Sequence, residues 1–336
     1  MTSPTPLCPN AMQVHGVHQE TDDVWTIELI AQDFYPYSPG QYALVSIRHS
    51  DSVLRAYTLS SSPGLSRFIT LTVRRLENGE GSGWLTQEIK PGDTLWLSEP
   101  QGEFTCINKE NTPFLMLAGG CGVTPIMSMT RWLLASDAQP DVTVIYHVHT
   151  PNDVIFAQEW ASLCERYADR LRFHLATSAS DAPESFVQGH LSEALIQQYA
   201  PNVAKSTVMT CGPEGYMEKA QDVCLSLGVA PERFYQERFH TSAESSVSQG
   251  DEITMRVRSL AKDFSVPVGA TLLYALEQNG LPVIAACRSG VCGSCKTQVL
   301  QGEYTTTSQS TLTEDEISQG YVLACSCQLT GSVEIA

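Results

Sequence analysis

The stretch Pro113–Ala135, PFLMLAGGCGVTPIMSMTRWLLA, sets a continuously apolar run before a glycine-rich turn and then a segment of helical character. A run apolar on both faces reads as a strand buried between layers, and a strand feeding a helix reads as one unit of a mostly parallel α/β sheet. The alternation continues: VTVIYHV (142–148) precedes the helical PNDVIFAQEWASLCERYA (151–168), and LRFHLAT (171–177) and STVMTCG (206–212) add further strands. Gly119, Gly120 and Gly122 permit a tight turn and the close approach of a pyrophosphate to the helix N-terminus, although the spacing is not Gly-x-Gly-x-x-Gly. Thr124 and Pro125 open the helix, where proline suits the first turn.

Upstream, residues 24–105 hold short β-rich runs, VWTIELI (24–30), QYALVSI (41–47), RAYTL (55–59), FITLTVRR (68–75) and DTLWLSE (93–99), parted by Pro, Gly, Asn and Ser turns. This pattern predicts an antiparallel β-barrel. In RAYTLSSSP (55–63), Arg55 suits a phosphate and Tyr57, two residues on and on the same face, suits a flat ring. A surface arginine beside a barrel tyrosine is the plainer alternative. In VRRLENGEGSGWL (73–85), Val73, Arg74 and Arg75 end a strand, and Gly81 and Ser82 stand at a helix start, an anion seat. Two phosphate-type features in one barrel suggest a dinucleotide.

Downstream, HTSAESSVSQGDE (240–252) has the composition of a flexible linker. Two strand-like runs and a helix ending at Gly280 follow, and then Cys287-x4-Cys292-x2-Cys295, with Cys325 after 29 intervening residues. This is the plant-type [2Fe-2S] spacing, four thiolates for two irons, with Ser289, Gly290, Gly293 and Ser294 small enough for backbone to approach sulfide. Zinc is the rival, but its sites use paired Cys-x2-4-Cys knuckles. LACSC (323–327) offers Cys325 and Cys327 on one strand face; Cys325 is the expected ligand, and Cys327 stands as the alternative. Cys8, Cys106, Cys164 and Cys224 have no partner spacing and read as small core or surface residues.

Composition bounds the function. A chain of 336 residues exceeds one ordinary core. Its formal charge of −17 is spread over all three parts and disfavours nucleic acid and anionic membranes, while suiting a basic partner surface. No apolar stretch is long enough to span a bilayer, and the N-terminus lacks a signal peptide's basic and apolar regions. The expected location is cytoplasmic, where the odd count of 11 cysteines argues for metal over disulfides.

Arg55-x-Tyr57-Thr58, GGCGVTP (119–125) and CGPEGYM (211–217), in that order, resemble the motifs of the ferredoxin-NADP reductase superfamily. With the cysteine cluster at the C-terminus, the chain is similar to its flavin and iron-sulfur reductases. The resemblance implies a multidomain chain: an antiparallel β-barrel FAD-binding domain over 1–110, an α/β parallel-sheet NAD-binding domain over 111–239, a linker at 240–250 and an α+β (β-grasp) [2Fe-2S] ferredoxin domain over 251–336. It also implies that Arg55 and Ser82 contact the flavin pyrophosphate, Tyr57 stacks on the isoalloxazine and Thr58 lies near N5. Val73, Arg74 and Gly81 join the cofactor-binding set. Gly119, Gly120, Gly122, Thr124, Pro125, Gly212, Pro213 and Met217 would border the NADH site, with Cys211 near the nicotinamide. Glu237 and Phe239, in YQERF (235–239), stand where the superfamily often places a residue against the flavin. Thr58 and Cys211 are the catalytic candidates; Cys287, Cys292, Cys295 and Cys325 are the metal ligands.

A 2′-phosphate needs Arg or Lys, and Phe173–Ala204 contains neither, so NADH is preferred. His149 departs from the arginine of related reductases. The expected activity is hydride transfer from NADH to flavin, then single-electron transfer through a cluster near roughly −400 mV to a protein acceptor. By resemblance that acceptor is hybrid cluster protein; an oxygenase component is the alternative, and FMN stands beside FAD. A non-enzymatic iron-sulfur redox sensor is the reading from another class.

Overall fold

The computed structural model describes residues 4–5, 7–50, 53–179, 182–239, 252–286, 288, 290, 292–309 and 311–336. Cys287 and the expected linker at 240–250 lie outside them. The chain divides into two compact units, Met1–His49 with Tyr57–Phe239, and Ser50–Ala56 with His240–Ala336.

The N-terminal sheet comprises β1 (Asn10–Thr21), β2 (Val24–Ala31), β3 (Tyr42–Ser46), β4 (Leu54–Thr58), β5 (Ile69–Arg74) and β6 (Thr94–Leu97), with α1 (Glu80–Gln87) between the last two. The order is β4-β3-β6-β1-β2-β5, and the registered pairs are antiparallel. A two-residue turn at Asp22 and Asp23 reverses β1 into β2, with Thr21 opposite Val24. Just past β4, Leu59 bridges to Leu71 of β5 and the Ser60 N–H donates to the Thr70 carbonyl at 2.8 Å. The two edges thus meet, and the sheet closes into the expected barrel around Ile27, Leu29, Leu71 and Leu95, all fully buried.

The second sheet alternates strand and helix: β7 (Phe114–Gly119), α2 (Val123–Ala135), β8 (Val142–Val148), α3 (Ala157–Arg166), β9 (Leu171–Thr177), β10 (Val187–Gln188), α4 (Glu193–Tyr199), β11 (Thr207–Gly212), α5 (Glu214–Ser226) and β12 (Phe234–Arg238). All its registered pairs are parallel. Every residue of β7 is buried, as its unbroken apolar run requires, and ten of the thirteen residues of α2 are buried with it. Pro125 sits in the first turn of α2, where its missing N–H costs no helical bond.

The C-terminal sheet has the order β14-β13-β17-β15-β16, built from β13 (Glu252–Val257), β14 (Lys262–Pro267), β15 (Lys296–Thr306), β16 (Tyr321–Leu323) and β17 (Cys327–Ile335), with α6 (Leu272–Gln278) and α7 (Glu314–Ser318). The Thr271 hydroxyl caps α6 by accepting from the Tyr274 N–H at 3.1 Å. Leu272, Leu273, Ala275 and Leu276 of α6 bury their side chains with Val299, Leu323, Leu329 and Ile335 of the sheet. Among the described residues no helix is long and apolar enough to cross a membrane.

Candidate active site and metal centre

The parallel sheet runs β10-β9-β8-β7-β11-β12, so strand order reverses between β7 and β11. In open α/β sheets ligands bind outside the carboxyl ends of the strands at such a reversal. The GGCGVTP turn leaves β7 there, and CGPEGYM leaves β11 beside it. A Cβ on Gly122 would lie 2.0 Å from the Cys211 carbonyl oxygen, and one on Gly212 would lie 3.1 Å from Gly119 Cα. The two motifs therefore meet backbone to backbone, which only glycine permits. Gly120 also takes the left-handed conformation at φ 52°. Thr124 donates its hydroxyl to the Cys121 carbonyl at 3.0 Å, and the buried Met217 sulfur accepts from the Thr210 hydroxyl at 3.8 Å. Pro213 precedes α5, which begins at Glu214.

Cys211 is fully buried, and burial, then the neighbouring Glu237, holds its thiol well above the usual range. Burial of this kind favours the neutral thiol over the thiolate. Glu237 is its register partner on β12. Burial moves the Glu237 carboxyl from 4.5 up to about 8, and its Oε2 is shielded with no hydrogen-bond partner among the described residues. Phe239, just past β12, is 39% exposed. His149 is exposed and its carbonyl accepts from the Thr177 hydroxyl at 2.7 Å.

On the barrel, Arg55, Tyr57 and Thr58 lie on β4. The Arg55 Nη1 donates to the Leu54 carbonyl at 2.8 Å. Thr58 is 5% exposed and its Oγ1 has no hydrogen-bond partner among the described residues. An unpaired buried hydroxyl costs about 1–3 kcal/mol, and a ligand heteroatom removes that cost. Val73 is buried, and Arg74 pairs with Asp23 at 3.0 Å. The Arg74 Nη1 also lies 3.5 Å from where a Cβ on Gly120 would stand, so this arginine reaches from the barrel to the glycine turn. Gly81 and Ser82 are buried in the first turn of α1. The Ser82 hydroxyl accepts from the Leu76 N–H at 3.0 Å and donates to the Gly79 carbonyl at 3.3 Å. The peptide N–H groups of the α1 terminus stand beside it as a second group suited to an anion. Beside α1 a groove of about 380 Å³ is lined by Arg48 and Arg75, by Glu77, Glu80 and Glu88, and by Leu76 and Trp84, among others. The orphaned Thr58 hydroxyl and the helix terminus fit a flavin nucleotide.

In the C-terminal unit, the Cys295 and Cys325 sulfurs stand 3.3 Å apart. The Gly290 N–H points at the Cys325 sulfur at 3.1 Å and the Cys325 N–H at the Cys295 sulfur at 3.5 Å. Cys292 contacts the Ser294 hydroxyl at 3.2 Å. Gly290 has φ 72°, and a Cβ on it would meet Ser308 Cβ at 2.7 Å and Ser326 Cβ at 3.0 Å. Cys327 by contrast is fully buried in the apolar core with Leu323 and Leu329; burial, then Cys295, pushes its thiol up to about 12. Among the described residues no three His, Cys, Asp or Glu side chains are grouped to hold a metal ion. A pair of thiols with peptide N–H groups on the sulfurs suits one iron of a two-iron cluster, the fit the sequence spacing asks for.

A flavin cradle, a nucleotide crevice and a cysteine loop in one chain define a class of electron-transfer oxidoreductase. Family models agree segment by segment: an oxidoreductase FAD-binding domain over residues 23–106, an oxidoreductase NAD-binding domain over 116–222 and a 2Fe-2S iron-sulfur cluster binding domain over 256–330. The chain belongs to the family of flavin and iron-sulfur reductases that joins these domains, the ferredoxin-NADP reductase type with a C-terminal ferredoxin domain. Among its relatives is the NADH oxidoreductase HCR of Escherichia coli (strain K12), 52% identical over 100% of both chains. The glycine betaine monooxygenase reductase subunit of Chromohalobacter salexigens is 31% identical over 92% of this chain and 90% of that protein. Phthalate dioxygenase reductase has the same fold, with a TM-score of 0.66 at 22% identity over 97% of each chain.

Proposed function

We propose that this protein takes hydride from NADH and delivers electrons singly to a protein acceptor, hybrid cluster protein. The observation that carries the reading is the Cys295–Cys325 sulfur pair with the Gly290 N–H directed at it. A centre held there makes a one-electron acceptor the outlet, which neither of the other sites requires. A bound flavin accepts hydride as a two-electron unit, and a bound [2Fe-2S] cluster passes charge one electron at a time.

The chain's own residues bind and orient. Arg55 and the α1 terminus hold the pyrophosphate, Tyr57 covers the ring, and the groove beside α1 has room for the adenosine of FAD. The Thr58 hydroxyl supplies a hydrogen bond at the ring edge, using the atom that is otherwise unpaired. Gly119, Gly120, Gly122, Gly212 and Pro213 let NADH approach backbone N–H groups at the strand reversal, with Thr124, Pro125 and Met217 shaping its floor. Cys211, neutral and buried, packs near the nicotinamide and keeps water out. Cys287, Cys292, Cys295 and Cys325 ligate the cluster, and peptide N–H groups at the sulfurs help set its potential.

The domain limits 1–110, 111–239 and 251–336 belong to this reading, as does a cytoplasmic location. The acceptor choice follows the full-length relative at 52% identity, and an oxygenase component is the second reading because the relative at 31% is a monooxygenase reductase subunit. The test is NADH-driven reduction of purified hybrid cluster protein and of an oxygenase component at equal concentration. Much faster reduction of hybrid cluster protein is expected; the reverse order overturns the choice of acceptor.

A further inference from the structure

Arg131 has no part in the site described above, yet it is the one charged residue of α2 and its side chain is only 15% exposed. Its Nε and Nη2 donate to the two carboxylate oxygens of Glu159 on α3 at 2.5 Å each. Its Nη1 donates to the Ser60 carbonyl at 2.5 Å, and the guanidinium lies 5.5 Å from the Phe156 ring centre. An ion pair between two helices needs only the first contact. The second reaches from the nucleotide sheet into the barrel.

One turn earlier on α2, the fully buried Ser128 donates to the Ser61 carbonyl at 2.5 Å. Its own carbonyl accepts from the Ser62 hydroxyl at 2.8 Å, and its hydroxyl accepts from the Gly40 N–H at 3.4 Å. Helix α2 thus grips the consecutive residues 60, 61 and 62, which follow Thr58 after a single leucine. At its other end the same helix is pressed through Gly122 onto the Cys211 carbonyl. A buried helix of thirteen residues is a stiff rod of about 20 Å. Thr70 of the barrel also holds Ser60, and the grip of α2 on 60–62 ties this segment, next to Thr58, to the helix whose other end rests on Cys211.

We infer that Arg131, with Ser128, is a positioning residue that holds the nucleotide-binding helix in register with the flavin strand for hydride transfer. The inference rests on the hydride-transfer reading above. Arginine's planar fork serves Glu159 and Ser60 together, and lysine, with a single point charge, keeps only part of that geometry. Misplacement of reacting groups by about 1 Å costs on the order of a hundredfold in rate.

The test compares wild type, R131K, R131M and S128A as holoproteins mixed rapidly with NADH without oxygen. The limiting rate of flavin reduction is expected to fall about ten- to a hundredfold in R131M and less in R131K. The NADH concentration for half-maximal rate should move less than about threefold. In flavin-free protein, amide exchange of the 57–66 segment should quicken about tenfold or more in R131M while 142–148 is unchanged. S128A, with a loss of about three- to tenfold, carries the test if R131M does not fold. A wild-type limiting rate in the folded variants, a loss confined to NADH affinity, or unchanged exchange at 57–66 overturns the inference. Should wild-type holoprotein not be reduced by NADH at all, the reductase reading fails, and the exchange arm alone decides whether Arg131 and Ser128 hold the 57–66 segment.

Discussion

A Cβ placed on Gly122 would stand 2.0 Å from the carbonyl oxygen of Cys211. The atom it meets is backbone, so no rotamer change relieves the clash, and the β7–α2 turn must lift away from β11. G122A is expected to cost about 2–4 kcal/mol of stability and to depress NADH-dependent flavin reduction, read by urea unfolding and rapid mixing. Gly215, in the first turn of α5, meets nothing within 4 Å. G215A should be neutral or stabilising by up to about 1 kcal/mol. Equal effects of the two substitutions would remove the case for contact at the strand reversal.

Cys325 and Cys327 sit two residues apart but in different surroundings. Cys325 faces Cys295, while Cys327 is packed in the apolar core. C325S should lose the cluster's visible absorption and its iron. C327A should keep about two irons and two labile sulfides per chain and lose about 1–2 kcal/mol of stability. Iron and sulfide analysis of both variants decides, and C287S should behave as C325S does.

The Thr58 hydroxyl is buried without a partner among the described residues. T58V keeps the shape and removes the polar atom, so flavin-free protein should be unchanged or more stable by about 1 kcal/mol. Loaded protein should reduce flavin roughly tenfold more slowly, the price of one hydrogen bond at the ring. A stability loss without flavin would mean that the hydroxyl has a protein partner after all.

Burial raises the Glu237 carboxyl from 4.5 to about 8. A group whose folded pKa is raised stabilises the fold fully below its unfolded value, and that stability is lost as pH climbs through the folded value. Wild type should therefore weaken relative to E237Q between about pH 4.5 and 8. Because the residue is only half-buried, the difference is put at about 1–3 kcal/mol. Denaturant midpoints of both proteins across that range give the comparison; parallel curves would place the Glu237 carboxyl in water.

Burial, and then His190, lowers His147 from 6.5 to about 4. Here the sign is opposite: stability is present above the unfolded value and lost as pH falls through the folded one. H147N should lose less stability than wild type between pH 6.5 and 4, measured in the same way.

The local signals were readable in the residues themselves. The apolar run at 114–118 and the glycines at 119, 120 and 122 announced β7 and its turn, because a strand buried on both faces needs no polar alternation. The short β-rich runs announced the barrel, and Leu59 bridging Leu71 closes it. Cys287-x4-Cys292-x2-Cys295 pointed to the iron-sulfur domain that the family model matches over 256–330, because ligand spacing within one segment is a local property. Ser82 shows where such reading stops: its hydroxyl also bonds Leu76 and Gly79, a contact no motif records.

Sequence by itself determined which segments are strand, turn and helix, and which thiols and hydroxyls are candidates, since periodicity and spacing act within a few residues. Only the tertiary structure decided that Gly122 rests on Cys211, that Cys325 and not Cys327 faces Cys295, and that Arg131 grips Ser60. Each of these joins residues far apart in the chain, and the burial that raises Glu237 and leaves Thr58 unpaired exists only once the sheets have packed.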